Sequence, residues 1–275
     1  MKAVTASRLL VACLLGFPGT AAGQGFSLPP SWVVDADLSQ PGFRVRTHQV
    51  ELYVPNRIQR AEDQLADRWV DHATGIPETN VANTSDFGTD GYYTEDTYIN
   101  YNQDALGRFD PSSHEGFYGA NAPTWEGQRL EHPIPGIPGW YGSNDYFAQE
   151  ILTYLVLQEG YYYMTVNSDD GFKVTATRGD PRDELAQIVG MFDGGRAAAD
   201  TTFGLYVAAS GAYAFRLLWF EGSGGANVEW SVQKAGENER LLINDPYATN
   251  AVKAYRSSVN EYAYARRVVP SPGAV

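Results

Sequence analysis

Between Phe147 and Val232 the chain is a succession of apolar or alternating runs of strand length, each cut short by a turn signal, with little room left for helix. The runs cover 150–158, 160–167, 172–177, 202–208, 212–220 and 227–232. Successive side chains on a strand point to opposite faces, and strands of this length at this spacing build a β-sandwich or barrel. Glu159-Gly160 and Ser210-Gly211 read as hairpin turns, with 172–177 as a return strand and 227–232 closing the set. A content of 28 glycines, 15 prolines and 18 tyrosines agrees with an all-β domain rich in turns.

The flanks are less regular. Residues 24–40 are broken by proline and serine and read as a leader, and 42–54 alternates as a strand. One short helix is expected over 56–66, with Asn56 as its N-cap and Ile58, Ala61 and Leu65 on one face. A loop-rich stretch follows, with a strand near 97–101 and an irregular turn at 134–140, where prolines remove backbone donors. Residues 236–275 read as a polar tail or linker with a second short helix at 249–256, ending as the lead-in to a further module. The main domain is therefore expected over 41–235.

The first 23 residues read as a secretory signal. Lys2 and Arg8 form a basic start, 9–17 a short apolar run, and Thr20-Ala21-Ala22-Gly23 a small-residue cleavage site. That run is too short to span a bilayer, which takes ~20 residues, so no membrane insertion is expected. The single cysteine, Cys13, lies inside the signal, leaving the exported part without disulfides. A net charge of −13 repels nucleic acid, and no basic stripe offsets it. Acidity on this scale serves solubility or cation binding.

One turn concentrates that acidity. In Asn167-Ser168-Asp169-Asp170-Gly171-Phe172 two adjacent carboxylates separate one strand from the next. Calcium takes six to eight oxygens at about 2.3–2.6 Å. A cis peptide between the aspartates would bring both carboxylates to one side, where a divalent cation could hold them. The alternative is a solvated turn in which Gly171 supplies a positive φ.

The stretch from Gly160 to Val174 (GYYYMTVNSDDGFKV), with Ser210 to Trp230 (SGAYAFRLLWFEGSGGANVEW), resembles the protective-antigen-like (PA14) domain family of secreted bacterial type. The match is specific over 147–232 and looser in the flanking PGFRVRTHQV, AEDQLAD and INDPYATNAVKAYR. It implies an all-β, PA14-like sandwich or barrel with an N-terminal loop-rich elaboration and one or two short helices. It also implies an extracellular or cell-surface module, of the kind found in adhesins. In sugar-binding members the aspartate pair forms a cis peptide and holds Ca²⁺, which also takes two hydroxyls of a sugar. By position Asp169 and Asp170 would be those ligands. The loop before the last strand offers Glu221 and Asn227 as further donors, with Ser223 beside them and Trp140 as an aromatic for stacking on a glycan.

Other chemistries find no support. The glycine-rich segments at 222–226 and 193–196 lack the Lys-Ser/Thr ending and helix of a phosphate loop. Asn100, Asn102 and Asp104 fail as a calcium loop, since Ala105 and Pro111 stand where glycine and glutamate are needed. His48, His72, His114 and His132 have no zinc spacing, and no Gly-Xaa-Ser-Xaa-Gly elbow occurs. Most of Tyr213, Trp219, Phe220 and Trp230 are expected in the core, whereas Trp125, Trp140 and Tyr141 fall in loops. The reading is a non-catalytic, calcium-dependent glycan-binding module. Its rivals are a structural module serving its neighbours in a larger protein, and an accessory domain of a glycan-degrading enzyme.

Overall fold

The computed structural model describes residues 25–105, 129–183 and 185–257. The expected signal with Cys13, and also His114, Trp125 and the expected lead-in at 268–275, lie outside the described residues. Two β-sheets face each other. The first runs in the order β1 (Phe26–Leu28), β9 (Ala199–Val207), β6 (Gly160–Asp169), β11 (Asn227–Lys234), β12 (Leu241–Leu242), with β4 (Asn100–Asn102) also on β11. The second runs in the order β3 (Tyr93–Glu95), β2 (Phe43–Gln49), β5 (Phe147–Leu157), β10 (Gly211–Phe220), β7 (Gly171–Thr177), β8 (Gln187–Phe192), and β13 (Lys253–Tyr255) also pairs with β5.

Alternation decides which side chains meet between the sheets. Phe147, Ile151 and Leu155 of β5 and Phe215, Leu217 and Trp219 of β10 point inward, against Met164 and Val166 of β6 and Val228 and Trp230 of β11. Each is fully buried, and burial of a side chain of this size stabilises by roughly 1.5–3 kcal/mol. The outer face of the second sheet carries the helix α1 (Ile58–Leu65), whose Ala61 and Leu65 pack on Ala148, Leu218 and Phe220. Glu62 pins the helix there by accepting from both terminal nitrogens of Arg216 at 2.8 Å. Burial raises the Glu62 carboxyl, but Arg216 and Lys173 outweigh it and hold it down at about 2.

Neither expected hairpin forms. The turn at 158–159 carries the chain from β5 in the second sheet to β6 in the first, and 208–210 carries it from β9 to β10 between the same two sheets. A tight turn serves a hairpin and a sheet-to-sheet arch equally well, and the partner strands decide between them. β5 is buried on both faces and takes a central place between β2 and β10, whereas β6 keeps Tyr161 and Tyr163 exposed on its outer side.

The segment expected as a second helix, 249–256, is instead a turn followed by strand β13 over 253–255. β2 covers the edge of β5 only as far as Leu152, and β13 pairs with Tyr154 to Val156 beyond it. Pairing satisfies backbone donors and acceptors that would otherwise stay open along a central strand. Residues 26–28 of the expected leader likewise pair, in parallel, with β9, and 241–242 of the expected tail pair with β11. The strand expected near 97–101 lies at Asn100–Asn102, and β8 forms where the sequence pattern marks no strand.

Candidate metal centre

Strand register brings the acidic turn and the last loop together. Asp169 ends β6 and Gly171 begins β7, so Asp170 alone crosses between the sheets. Residues 221–226 make the neighbouring crossing from β10 to β11. Gly171 pairs with Phe220, and Asp169 pairs with Asn227. Two arches thus run side by side, fixed at both feet by sheet hydrogen bonds.

The carboxylates of Asp169, Asp170 and Glu221 converge there, with one oxygen from each within 4.8 Å of the others. The Asp169–Asp170 peptide is cis. Asp170 is held from three directions. Its Oδ1 accepts from the backbone N–H of Arg196 at 2.7 Å, and its Oδ2 from Gly222 N at 2.9 Å and Asn56 Nδ2 at 2.6 Å.

Glu221 is the anomalous member. It is fully buried, and neither carboxylate oxygen meets a hydrogen-bond donor. Burial, followed by the charges of Asp170, Asp169 and Asp145, pushes its pKa up to about 9. Desolvation and like charge both favour the neutral acid. Arg60 lies close beneath but gives its N–H groups to the carbonyls of Glu221, Phe147 and Pro55 at 3.2, 3.0 and 3.0 Å. Its charge also acts through space on Glu221 and Asp170, while its hydrogen bonds stabilise the arch.

Asn227 contributes a neutral oxygen. Its Nδ2 donates to Asn167 Oδ1 at 3.0 Å, while its own Oδ1 is buried without a partner. Of the other expected residues, Ser223 is exposed in the middle of the 221–226 arch. Trp140 is 62% exposed on a separate turn, where its backbone N–H donates to the carbonyl of Val81 at 2.9 Å. That turn leads back to the arch, since Tyr146 N donates to Gly222 O at 2.8 Å and Gly224 N reaches Asp145 Oδ1 at 3.3 Å. Tyr146 has φ 61, and its ring meets the edge of Tyr53 at 6.2 Å between centroids.

Asn56, Asp145 and Arg196 join the site as well. Asn56 is expected to cap α1, but Ile58 N takes its acceptor from Asp193 Oδ1 at 2.8 Å, and the Asn56 side chain turns to Asp170. These partners belong to loops far apart in the chain, and no local pattern marks them.

Carboxylate and amide oxygens, without sulfur or imidazole, suit a hard cation such as calcium. A cation would give the Glu221 oxygens a direct positive partner, beyond the through-space charge of Arg60.

No protein-family model matches the chain, and no curated protein matches it. Among solved structures it is similar to the PA14 domain of the MpAFP antifreeze protein, with a TM-score of 0.45, 15% identity, and coverage of 80% of this chain and 96% of that one. It is also similar to a PA14 sugar-binding domain from an RTX adhesin, with a TM-score of 0.44, 12% identity, and coverage of 74% and 96%. A third is the epithelial adhesin 9 A domain from Candida glabrata, in complex with Galβ1-3GlcNAc, with a TM-score of 0.42, 13% identity, and coverage of 86% and 97%.

Proposed function

We propose that this chain is an exported, non-catalytic binding module whose Asp169–Asp170–Glu221 cluster holds calcium and, through it, the vicinal hydroxyls of a glycan. The observation that carries the reading is Glu221, a fully buried carboxylate with no donor on either oxygen, facing two further carboxylates. A buried carboxylate without a hydrogen-bond donor is costly to keep charged unless a proton or a metal takes up that charge.

The donors fit calcium in kind and number. Asp169, Asp170, Glu221 and Asn227 would each give an oxygen, and calcium takes six to eight, so positions remain for hydroxyls. Tyr53, 78% exposed, and Tyr146 stand beside the arch as apolar surface for a sugar ring.

Two measurements test this. Thermal melting in EDTA and then in excess Ca²⁺ should show a rise in Tm, because binding to the folded state adds about 2.7 kcal/mol when the free ion is at about 100 times Kd. An unchanged Tm removes the cation site. A glycan array should then show binding that EDTA abolishes. A blank array on a protein that Ca²⁺ does stabilise would leave the cation with a structural role only.

A further inference from the structure

We infer that Asn56, from the segment that leads into α1, is a direct ligand of the cation held by Asp169, Asp170 and Glu221, so that the N-terminal elaboration completes the site. The inference rests on the cation reading above and adds a donor from outside the two arches.

Three observations carry it. First, the Asn56 amide already lies inside the cluster, with Nδ2 2.6 Å from Asp170 Oδ2. Second, its Oδ1 is buried and has no partner. A buried acceptor left without a donor is destabilising, and among the described residues this oxygen has none. Third, two glycines leave space for this amide. A Cβ on Gly195 would sit 2.7 Å from Asn56 Nδ2, and one on Gly222 would overlap its Oδ1. The arch at 221–226 and the turn at 193–196 therefore close directly on Asn56.

In the cation-free arrangement an amide N–H facing a carboxylate is the favourable orientation. A cation reverses the preference, because it wants oxygen and Asp170 Oδ2 is then engaged with it. Turning the amide over would exchange Nδ2 for Oδ1 and give the orphaned oxygen its partner. Asn56 needs no such turn to cap the helix, since Asp193 already supplies that acceptor.

Europium luminescence lifetimes in H₂O and D₂O count the water molecules on a bound ion, and thus separate a ligand from a positioning residue. Eu³⁺ on the wild type, on Asn56→Ala and on Asn56→Asp is the test, with Ca²⁺ affinity by calorimetry beside it. Asn56→Ala should gain one water ligand and lose about tenfold in Ca²⁺ affinity. Asn56→Asp, which keeps an oxygen in place, should retain the wild-type water count. An unchanged count in Asn56→Ala overturns the inference even if affinity falls, and leaves the cation site standing. Absence of bound Eu³⁺ and Ca²⁺ on the wild type removes the site and the inference together.

Discussion

The indole N–H of Trp219 donates to the backbone carbonyl of Asp169 at 2.9 Å, so one of the two fully buried tryptophans of the core holds the foot of the carboxylate turn. Its ring packs edge-on against Phe147 with centroids 5.0 Å apart. Packing and site geometry are thus coupled through one side chain. Trp219→Phe should lower stability by about 2–3 kcal/mol, from the smaller ring and the carbonyl left without its donor. Urea unfolding measures this, and the Ca²⁺-induced rise in Tm should shrink in the same variant. A rise of wild-type size would show that the turn does not depend on Trp219.

Gly222 gives a test that removes no proposed ligand. A Cβ there meets the Asn56 amide, so Gly222→Ala should displace that side chain and weaken Ca²⁺ binding by about tenfold, in the range seen when supporting groups around a metal are changed. Calorimetric titration reads the effect. Wild-type affinity in Gly222→Ala would mean that the amide can move without consequence for the cation.

The helix contact has its own signature. Glu62 and Arg216 form a two-pronged pair across α1 and β10, and Arg216 also reaches Glu150 at 2.8 Å. Glu62→Gln leaves a buried guanidinium with less compensation, for a cost of about 2–3 kcal/mol. Hydrogen exchange should speed up first in α1, while β5 and β10 keep their protection. Uniform loss over both sheets would argue against α1 as a separately anchored unit.

Acid lability follows from His48. Burial, opposed by the attraction of Asp67 and aided by Arg46, lowers its pKa to about 4. The unfolded chain takes up this proton near pH 6.5 and the folded one near 4. The unfolded state therefore binds more protons across that window. The neutral-histidine contribution is complete above about 6.5 and drains as pH falls toward 4, reaching about 3 kcal/mol at most. Comparing unfolding free energies of wild type and His48→Gln from pH 7 to 4 isolates it. The variant should show the shallower decline, and parallel curves would refute the assignment.

The strands between 147 and 232 were legible because alternation and turn residues are local signals, and the same is true of the carboxylates at 169 and 170. Which strands pair was not local. The turns at 158–159 and 208–210 look like hairpins until β5 and β10 are seen to share a sheet that excludes β6 and β9. The backbone need of β5 beyond Leu152 turned an apparent helix into β13 for a similar reason. Glu221 and Asn227 could be named from the loop they flank, but the burial that sets Glu221 apart depends on Arg60, Phe147 and the arch packed over it. Asn56 misled because an asparagine before a helical pattern is a good cap by type. Only Asp193, more than a hundred residues away, shows that the cap is supplied elsewhere.

Asp170 is tied to Asn56 and to Gly222 across 114 and 52 positions of the chain. An ion seated among them would close those two long loops at a single point. That is the work a disulfide does in many exported domains, limiting how far an unfolding chain can spread. Here the only cysteine is Cys13, so the stitch would be ionic, opened by a chelator and re-formed by adding the metal. The edge that carries the carboxylate cluster would then be fastened where calcium is plentiful and loose where it is scarce.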